Sequence, residues 1–148
     1  MNATTIEDSL AAALRERGGR VTPQRLAIAA TLGDLDRHVT AENLYAEVSR
    51  RMRGVSLPTV YSTLDLLEEL DLVRRVATVG GSVVYDPNVG THHHLVCRAC
   101  GAIVDVDARV DDAALLEAAR AMGFAPELAQ VAITGLCARC AAREASAG

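Results

Sequence analysis

The sequence predicts an α+β chain in two small parts: a helical N-terminal domain closed by a β-hairpin, then a C-terminal α/β domain stapled by a metal. Three observations predict it. Helix-like segments with their own caps run from residue 6 to about residue 70, and two strand-like runs joined by Gly80-Gly81 follow them. Two identical cysteine pairs, Cys97-x-x-Cys100 and Cys137-x-x-Cys140, bracket the last third of the chain. Half of the 148 residues are hydrophobic, but the aromatic ones are only Tyr45, Tyr61, Tyr85 and Phe124, so each small core is aliphatic and needs a metal or a partner subunit.

Each element has a local reason. Residues 6–17 place Ile6, Leu10 and Leu14 on one helical face and stop at Gly18-Gly19. Thr22 followed by Pro23 is an N-cap with proline at the first helical position, and the helix it opens runs to about residue 32 with Leu26, Ile28 and Ala29 available to the core. Thr40 caps a third helix, residues 41–52. Ser56 caps a fourth, in which Val60, Leu64 and Leu67 recur at helical spacing and Asp71 lies near the end. Residues 73–79 and 82–86 read as strands of a hairpin turning at Gly80-Gly81. Helices followed by a hairpin are the order of a winged helix.

Asp86-Pro87-Asn88-Val89-Gly90-Thr91 is rich in turn residues and marks a boundary. The expected domains are residues 1–86, a hinge at 87–94, and 95–148. Beyond the hinge come a strand through Leu95 and Val96, a strand at 102–106, a helix at 112–122 stopped by Gly123, and a strand at 128–134. The small, polar tail, residues 141–148, is expected to be disordered.

Composition narrows the function. There is no apolar run near 18 residues, hence no membrane span, and the N-terminus lacks a secretory pattern, so the expected place is the cytoplasm. The formal net charge is −4, and every basic residue is Arg. Residues 1–85 hold ten Arg against eleven acids and residues 86–148 five against eight, so a basic face belongs to the first half and cation binding to the second.

The two cysteine knuckles match a tetrahedral zinc site, each supplying two thiolates from one turn, with Gly101 suiting the first turn. The 36 residues between them exceed a compact zinc ribbon but suffice for strand, helix and strand. Such a metal is worth ~10–16 kcal/mol in finger peptides, ample for a domain of this size. The alternatives are disulfides, disfavoured in the cytosol, or a redox pair, which does not need two copies, and neither knuckle is expected to open a helix in a clear βαβ context.

A second set of donors is different. In an extended segment His92 and His94 share a face and His93 points the other way. Asp86 precedes the turn, Asp105 lies on the strand after the first knuckle, and His38 precedes the third helix. Nitrogen and oxygen donors of this kind suit Fe(II), Mn(II), Ni(II) or Zn(II). A site drawing on both domains would let metal occupancy fix the angle between them.

In this order the residues resemble the Fur family of metal-dependent bacterial transcription regulators. The matching pieces are Val21-Thr22-Pro23-Gln24-Arg25, His38-Val39-Thr40-Ala41-Glu42, Val55-Ser56-Leu57-Pro58-Thr59-Val60-Tyr61, His92-His93-His94-Leu95-Val96-Cys97-x-x-Cys100-Gly101 and Gly135-Leu136-Cys137-x-x-Cys140, spanning about residues 6–140. The resemblance implies a winged-helix (helix-turn-helix) DNA-binding domain and an α/β domain that forms a homodimer through its sheet. The dimer would set two recognition helices in successive major grooves of palindromic operator DNA. It places Thr59 and Tyr61 on the DNA-facing part of that helix and Arg20 near the backbone or minor groove. Ser62 stands where many relatives carry Arg or Asn. Arg50, Arg51, Arg53, Arg74 and Arg75 are candidate phosphate contacts by charge alone, with a solvated face as the alternative for each.

The resemblance also implies structural Zn(II) on Cys97, Cys100, Cys137 and Cys140, and a regulatory Fe(II) or Mn(II) on His38, Asp86, His92, His94 and Asp105. These five correspond to the ligands of the peroxide-sensing, PerR-like branch; the iron-uptake branch usually carries Glu where Asp86 stands, and the zinc-uptake branch Cys. An additional site of some relatives draws on a His near the last strand, and Ala129-Gln130 provides none, which leaves His93 outside a third site. In the peroxide-sensing branch iron and peroxide together add oxygen to a ligating histidine, here His92 or His38, and DNA is released. Three other readings remain: an iron-responsive repressor, a metal-dependent enzyme and a zinc-stapled interaction module. The enzyme reading lacks any residue that stands out as nucleophile or general base, so no enzymatic activity is expected.

Overall fold

The computed structural model describes residues 4–76 and 82–148, and its chain divides into two compact units, Met1–Val89 and Gly90–Gly148. The hairpin turn expected at Gly80-Gly81, with the end of its first strand at 77–79, lies outside the described residues.

The first unit carries α1 (Ile6–Glu16), α2 (Pro23–Leu35), α3 (Ala41–Arg51) and α4 (Leu57–Glu69), then β1 (Arg74–Val76) and β2 (Val84–Asp86). Each helix begins where a hydroxyl satisfies an orphan backbone donor. Thr22, Thr40 and Ser56 accept from the N–H groups of Arg25, Asn43 and Thr59. Thr5 and Asp8 add a reciprocal capping box at α1 that the periodicity reading did not register. α1 ends at Gly18, whose φ of 67° is left-handed. At Gly19 a Cβ would sit 2.8 Å from the end of the Leu14 side chain, which would have to shift to admit it. Asp71 takes the same left-handed region after α4, with φ 56°.

The helices close on an aliphatic core: Leu10 and Leu14 from α1, Ile28 and Leu32 from α2, Leu44 and Val48 from α3, and Val60, Leu64 and Leu67 from α4. Leu26, expected in the core, is only half-buried, and α2 runs one turn further than its apolar spacing suggested, to a left-handed Asp36. β1 and β2 pair antiparallel, with Arg74 opposite Asp86 and Arg75 opposite Tyr85. Beyond them, Val39 and Tyr85 exchange both backbone hydrogen bonds (3.0 and 2.8 Å), so the stretch before α3 becomes a third rung.

The second unit holds β3 (His93–Cys97), β4 (Ile103–Val106), α5 (Asp112–Ala121), β5 (Ala132–Gly135) and α6 (Ala138–Ser146). Its sheet has the order β4-β3-β5, with β3 antiparallel to β4 and parallel to β5. Strand β3 is therefore central, and its histidines are buried. α6 corrects the expectation of a disordered tail. Alanine, arginine and glutamate are strong helix formers, Cys137 provides the cap position, and Arg98 meets Glu144 across 3.3 Å. The buried residues described in this unit are His92, His93, His94, Val96, Cys97 and Cys140, while Leu95, Val104, Leu115, Met122, Phe124, Leu128 and Ile133 stand exposed. Burial here centres on metal-type ligands, not on an aliphatic core.

Candidate metal centres

Cys97 ends β3, Cys100 lies in the tight β3–β4 turn, and Cys137 and Cys140 open α6. The turn needs Gly101 at φ 72°, and its N–H reaches back to the Cys97 carbonyl at 2.9 Å. The second knuckle begins a helix, but α6 is the last element and no strand follows it among the described residues, so it opens no βαβ unit. All four cysteines are free thiols, their sulfurs lie within 4.8 Å of one another, and Cys100 Sγ is 3.9 Å from Cys137 Sγ. A disulfide needs about 2.05 Å, whereas a tetrahedron of sulfurs 2.3 Å from one metal has edges of roughly 3.8 Å. The cluster fits a metal and not a bridge.

Its electrostatics agree. The N–H groups of Cys137 and Cys100 aimed at the Cys97 sulfur hold that thiol down to about 6. Cys140, hydrogen-bonded to Cys137 and desolvated among the other sulfurs, is pushed up to about 12. Four sulfurs this close cannot all carry charge without a cation between them.

The nitrogen–oxygen donors form a pair in the first unit and a triad in the second. In the first, His38 Nε2 lies 3.1 Å from Asp86 Oδ2, and the other Asp86 oxygen accepts the Asn88 N–H at 2.9 Å. The Val39–Tyr85 bridge makes this contact: each of the two donors is the neighbour of a bridged residue. Asp86 is 2% exposed, an expensive place for a carboxylate without a cation.

In the second unit His92 Nε2 and His94 Nε2 stand 3.0 Å apart, and Asp105 Oδ1 lies 3.4 and 3.5 Å from them. Strand register explains it, since His94 is directly opposite Asp105. His92 Nδ1 rests 2.7 Å from the Gly90 carbonyl, which orients the ring and leaves Nε2 for a ligand. His93 faces the other way: its Nδ1 accepts the Val131 N–H at 3.2 Å, a structural link to the segment entering β5.

The residues implicated in nucleic-acid contact lie in the first unit. Tyr61 and Ser62 are exposed on α4, and Thr59 is half-buried beside the cap. The Ser62 hydroxyl donates to the Thr59 carbonyl (3.1 Å) and the Tyr61 hydroxyl to Glu42 Oε1 (2.6 Å). Arg20 is exposed before α2, with Arg25 Nη1 donating to its carbonyl at 2.6 Å. Among the charge-based candidates, Arg50 pairs with Glu47, Arg51 with Asp34, and Arg75 with Asp65 and Glu68, while Arg75 also lies over the Tyr85 ring. One Arg74 guanidinium nitrogen is buried without a hydrogen-bond partner, and Arg53 is exposed. Sequence reading missed Glu42 as a partner of Tyr61, since no local pattern marks a contact between residues 19 positions apart.

Residues 16–134 match the model of the ferric uptake regulator family. A transcriptional regulator, FurA, from Mycobacterium tuberculosis is 36% identical over 134 residues, covering 90% of each chain. A peroxide-responsive repressor, PerR, from Staphylococcus epidermidis is 35% identical over 100 residues, 68% of this chain and 66% of that protein. The solved structure of a zinc uptake regulator complexed with zinc and DNA superposes with a TM-score of 0.65 at 29% identity, covering 97% of this chain and 99% of that one.

Proposed function

The chain belongs to the ferric uptake regulator family of metal-dependent transcription regulators, and we propose that it is a dimeric repressor released from palindromic operator DNA by hydrogen peroxide. The observation that carries the reading is the donor chemistry. A buried Asp86 stands 3.1 Å from His38, and two imidazole Nε2 atoms 3.0 Å apart share the carboxylate of Asp105. In our reading these five residues serve together as one regulatory site for Fe(II) or Mn(II), and Cys97, Cys100, Cys137 and Cys140 hold a structural Zn(II).

The roles divide by donor type. The thiolate cluster joins the β3 knuckle to α6 and so holds the second unit together. Its exposed apolar residues, Val104 and Ile133 among them, support pairing of two copies through this unit. Asp86 and Asp105 supply charge, and His92, held through Nδ1, presents Nε2 without rotating. Bound Fe(II) would supply peroxide reduction beside the imidazole rings, which Mn(II) would not. With oxygen added, His92 or His38 would lose its ligand geometry, and α4 would lose its hold on DNA. No described helix is long and apolar enough to cross a membrane, and in our reading the protein acts on DNA in the cytoplasm.

A second reading, an iron-responsive repressor, is supported by the match of residues 16–134 to the ferric uptake regulator family. Mass spectrometry of the zinc-containing protein loaded with Fe(II) or Mn(II), after a brief peroxide dose, decides between them. One added oxygen on the peptide carrying His92 or His38, with iron only, supports the peroxide reading. Unchanged peptides with operator binding intact give the iron reading.

A further inference from the structure

Tyr61 lies in the second turn of α4, 39% exposed, and its hydroxyl donates to Glu42 Oε1 at 2.6 Å. Glu42 is the second residue of α3, 19 positions earlier, in the first turn, where the helix N-terminus favours a negative charge. Neither side chain is needed for the core: α3 buries Ala41, Leu44 and Val48, and α4 buries Val60, Thr63, Leu64 and Leu67. An exposed hydrogen bond of this kind contributes little to folding. The length marks a charge-assisted bond, and its electrostatic trace is reciprocal. The Tyr61 hydroxyl holds the Glu42 carboxyl below its ordinary range, and the carboxylate pushes the Tyr61 phenol above its own.

An acidic side chain next to a surface that meets a polyanion opposes binding at every sequence alike, because phosphate contact is the sequence-independent part of affinity. Its presence beside an exposed aromatic on α4 therefore calls for a gain in discrimination. We infer that Glu42 is a positioning residue for base readout: by accepting the Tyr61 hydroxyl it fixes the ring in one orientation and leaves the phenolic oxygen only as an acceptor. A ring so held offers an apolar edge to a thymine methyl and an acceptor to an exocyclic amino group, while the neighbouring carboxylate penalises phosphate-only docking. Preorganising the ring also removes the cost of ordering it on binding. The inference rests on the reading of α4 as the DNA-facing helix.

The experiment uses the full chain with zinc and Mn(II). Its probes are a palindromic duplex selected from a random library by the wild-type protein and a scrambled duplex of the same composition. Glu42→Ala and Tyr61→Phe should each weaken the selected duplex by roughly threefold to tenfold, and the double variant should be no weaker than either alone. Glu42→Gln, which keeps an acceptor, should recover most of the loss, and Glu42→Ala should bind the scrambled duplex at least as tightly as wild type. Unfolding midpoints of the variants check that the fold is intact. Additive losses in the double variant, or no rescue by Gln, would overturn the coupling. If Tyr61→Ala weakens the selected duplex but Glu42→Ala does not, this inference alone fails. If Tyr61→Ala also leaves affinity unchanged, the reading of α4 fails with it.

Discussion

His38 and Asp86, 48 residues apart, meet at 3.1 Å because Val39 and Tyr85 beside them exchange a pair of backbone hydrogen bonds. The rung turns a pre-helix loop into a sheet edge and fixes two donors without using either side chain for packing. Arg75, opposite Tyr85 in the β1–β2 register, lies over the Tyr85 ring and pairs with Asp65 and Glu68 on α4. Within this unit the donor pair and α4 are thus connected through one strand position.

Asp86→Ala removes a buried carboxylate donor. Loss of an outer partner typically costs ten- to a hundredfold in metal affinity, so loss of a ligand should weaken Mn(II) binding by at least about tenfold, read by competition with a metal-sensitive dye. Asp86→Glu should retain metal and operator binding yet sharply reduce histidine oxidation by peroxide with Fe(II). Unchanged oxidation in that variant would remove Asp86 from the account of peroxide sensing.

Cys137→Ser removes one thiolate and leaves a residue that suits the cap position of α6. Zinc stoichiometry should fall to near zero, and the mass from sedimentation should drop to that of a monomer, because structural zinc contributes on the order of 10 kcal/mol to small domains. The helical first unit, whose aliphatic core is its own, should keep its far-UV signal.

His93 and His92 are adjacent but should behave oppositely. His93→Ala strands the Val131 N–H that its Nδ1 accepts, which should lower stability by about 1–3 kcal/mol with Mn(II) affinity intact. His92→Ala should cost metal affinity instead. Denaturant titrations with and without Mn(II) separate the two effects.

Leu64→Ala empties a fully buried position between α4 and the rest of the helical core and should destabilise the first unit by about 2–5 kcal/mol. Thr40→Ala, which removes only the cap of α3, should cost about 1 kcal/mol. Chemical denaturation of both variants tests whether burial outweighs capping as the core contacts require.

Much of the helical unit was legible in local chemistry. Thr22, Thr40 and Ser56 cap where their hydroxyls predicted, and Val60, Leu64 and Leu67 are buried as their spacing required. The errors occurred where local signals were weak. Leu26 is apolar but lies on the flank of its helix, and the tail after Cys140 reads as small and polar although it forms α6. Glu42 was invisible as a partner of Tyr61 because nothing at a separation of 19 residues marks a side-chain contact.

The sequence by itself determined the donor types, the paired cysteine spacing and the alternation that sets His92 and His94 against His93, because these depend on side-chain chemistry and on the two-residue period of a strand. Tertiary structure decided which donors meet. Cys100 reaches Cys137 because α5 and a parallel β5 return the chain beside β3, Asp105 faces His94 through strand register, and His38 faces Asp86 through a single rung. Such pairings are set by backbone hydrogen bonds between distant segments, which no local pattern encodes.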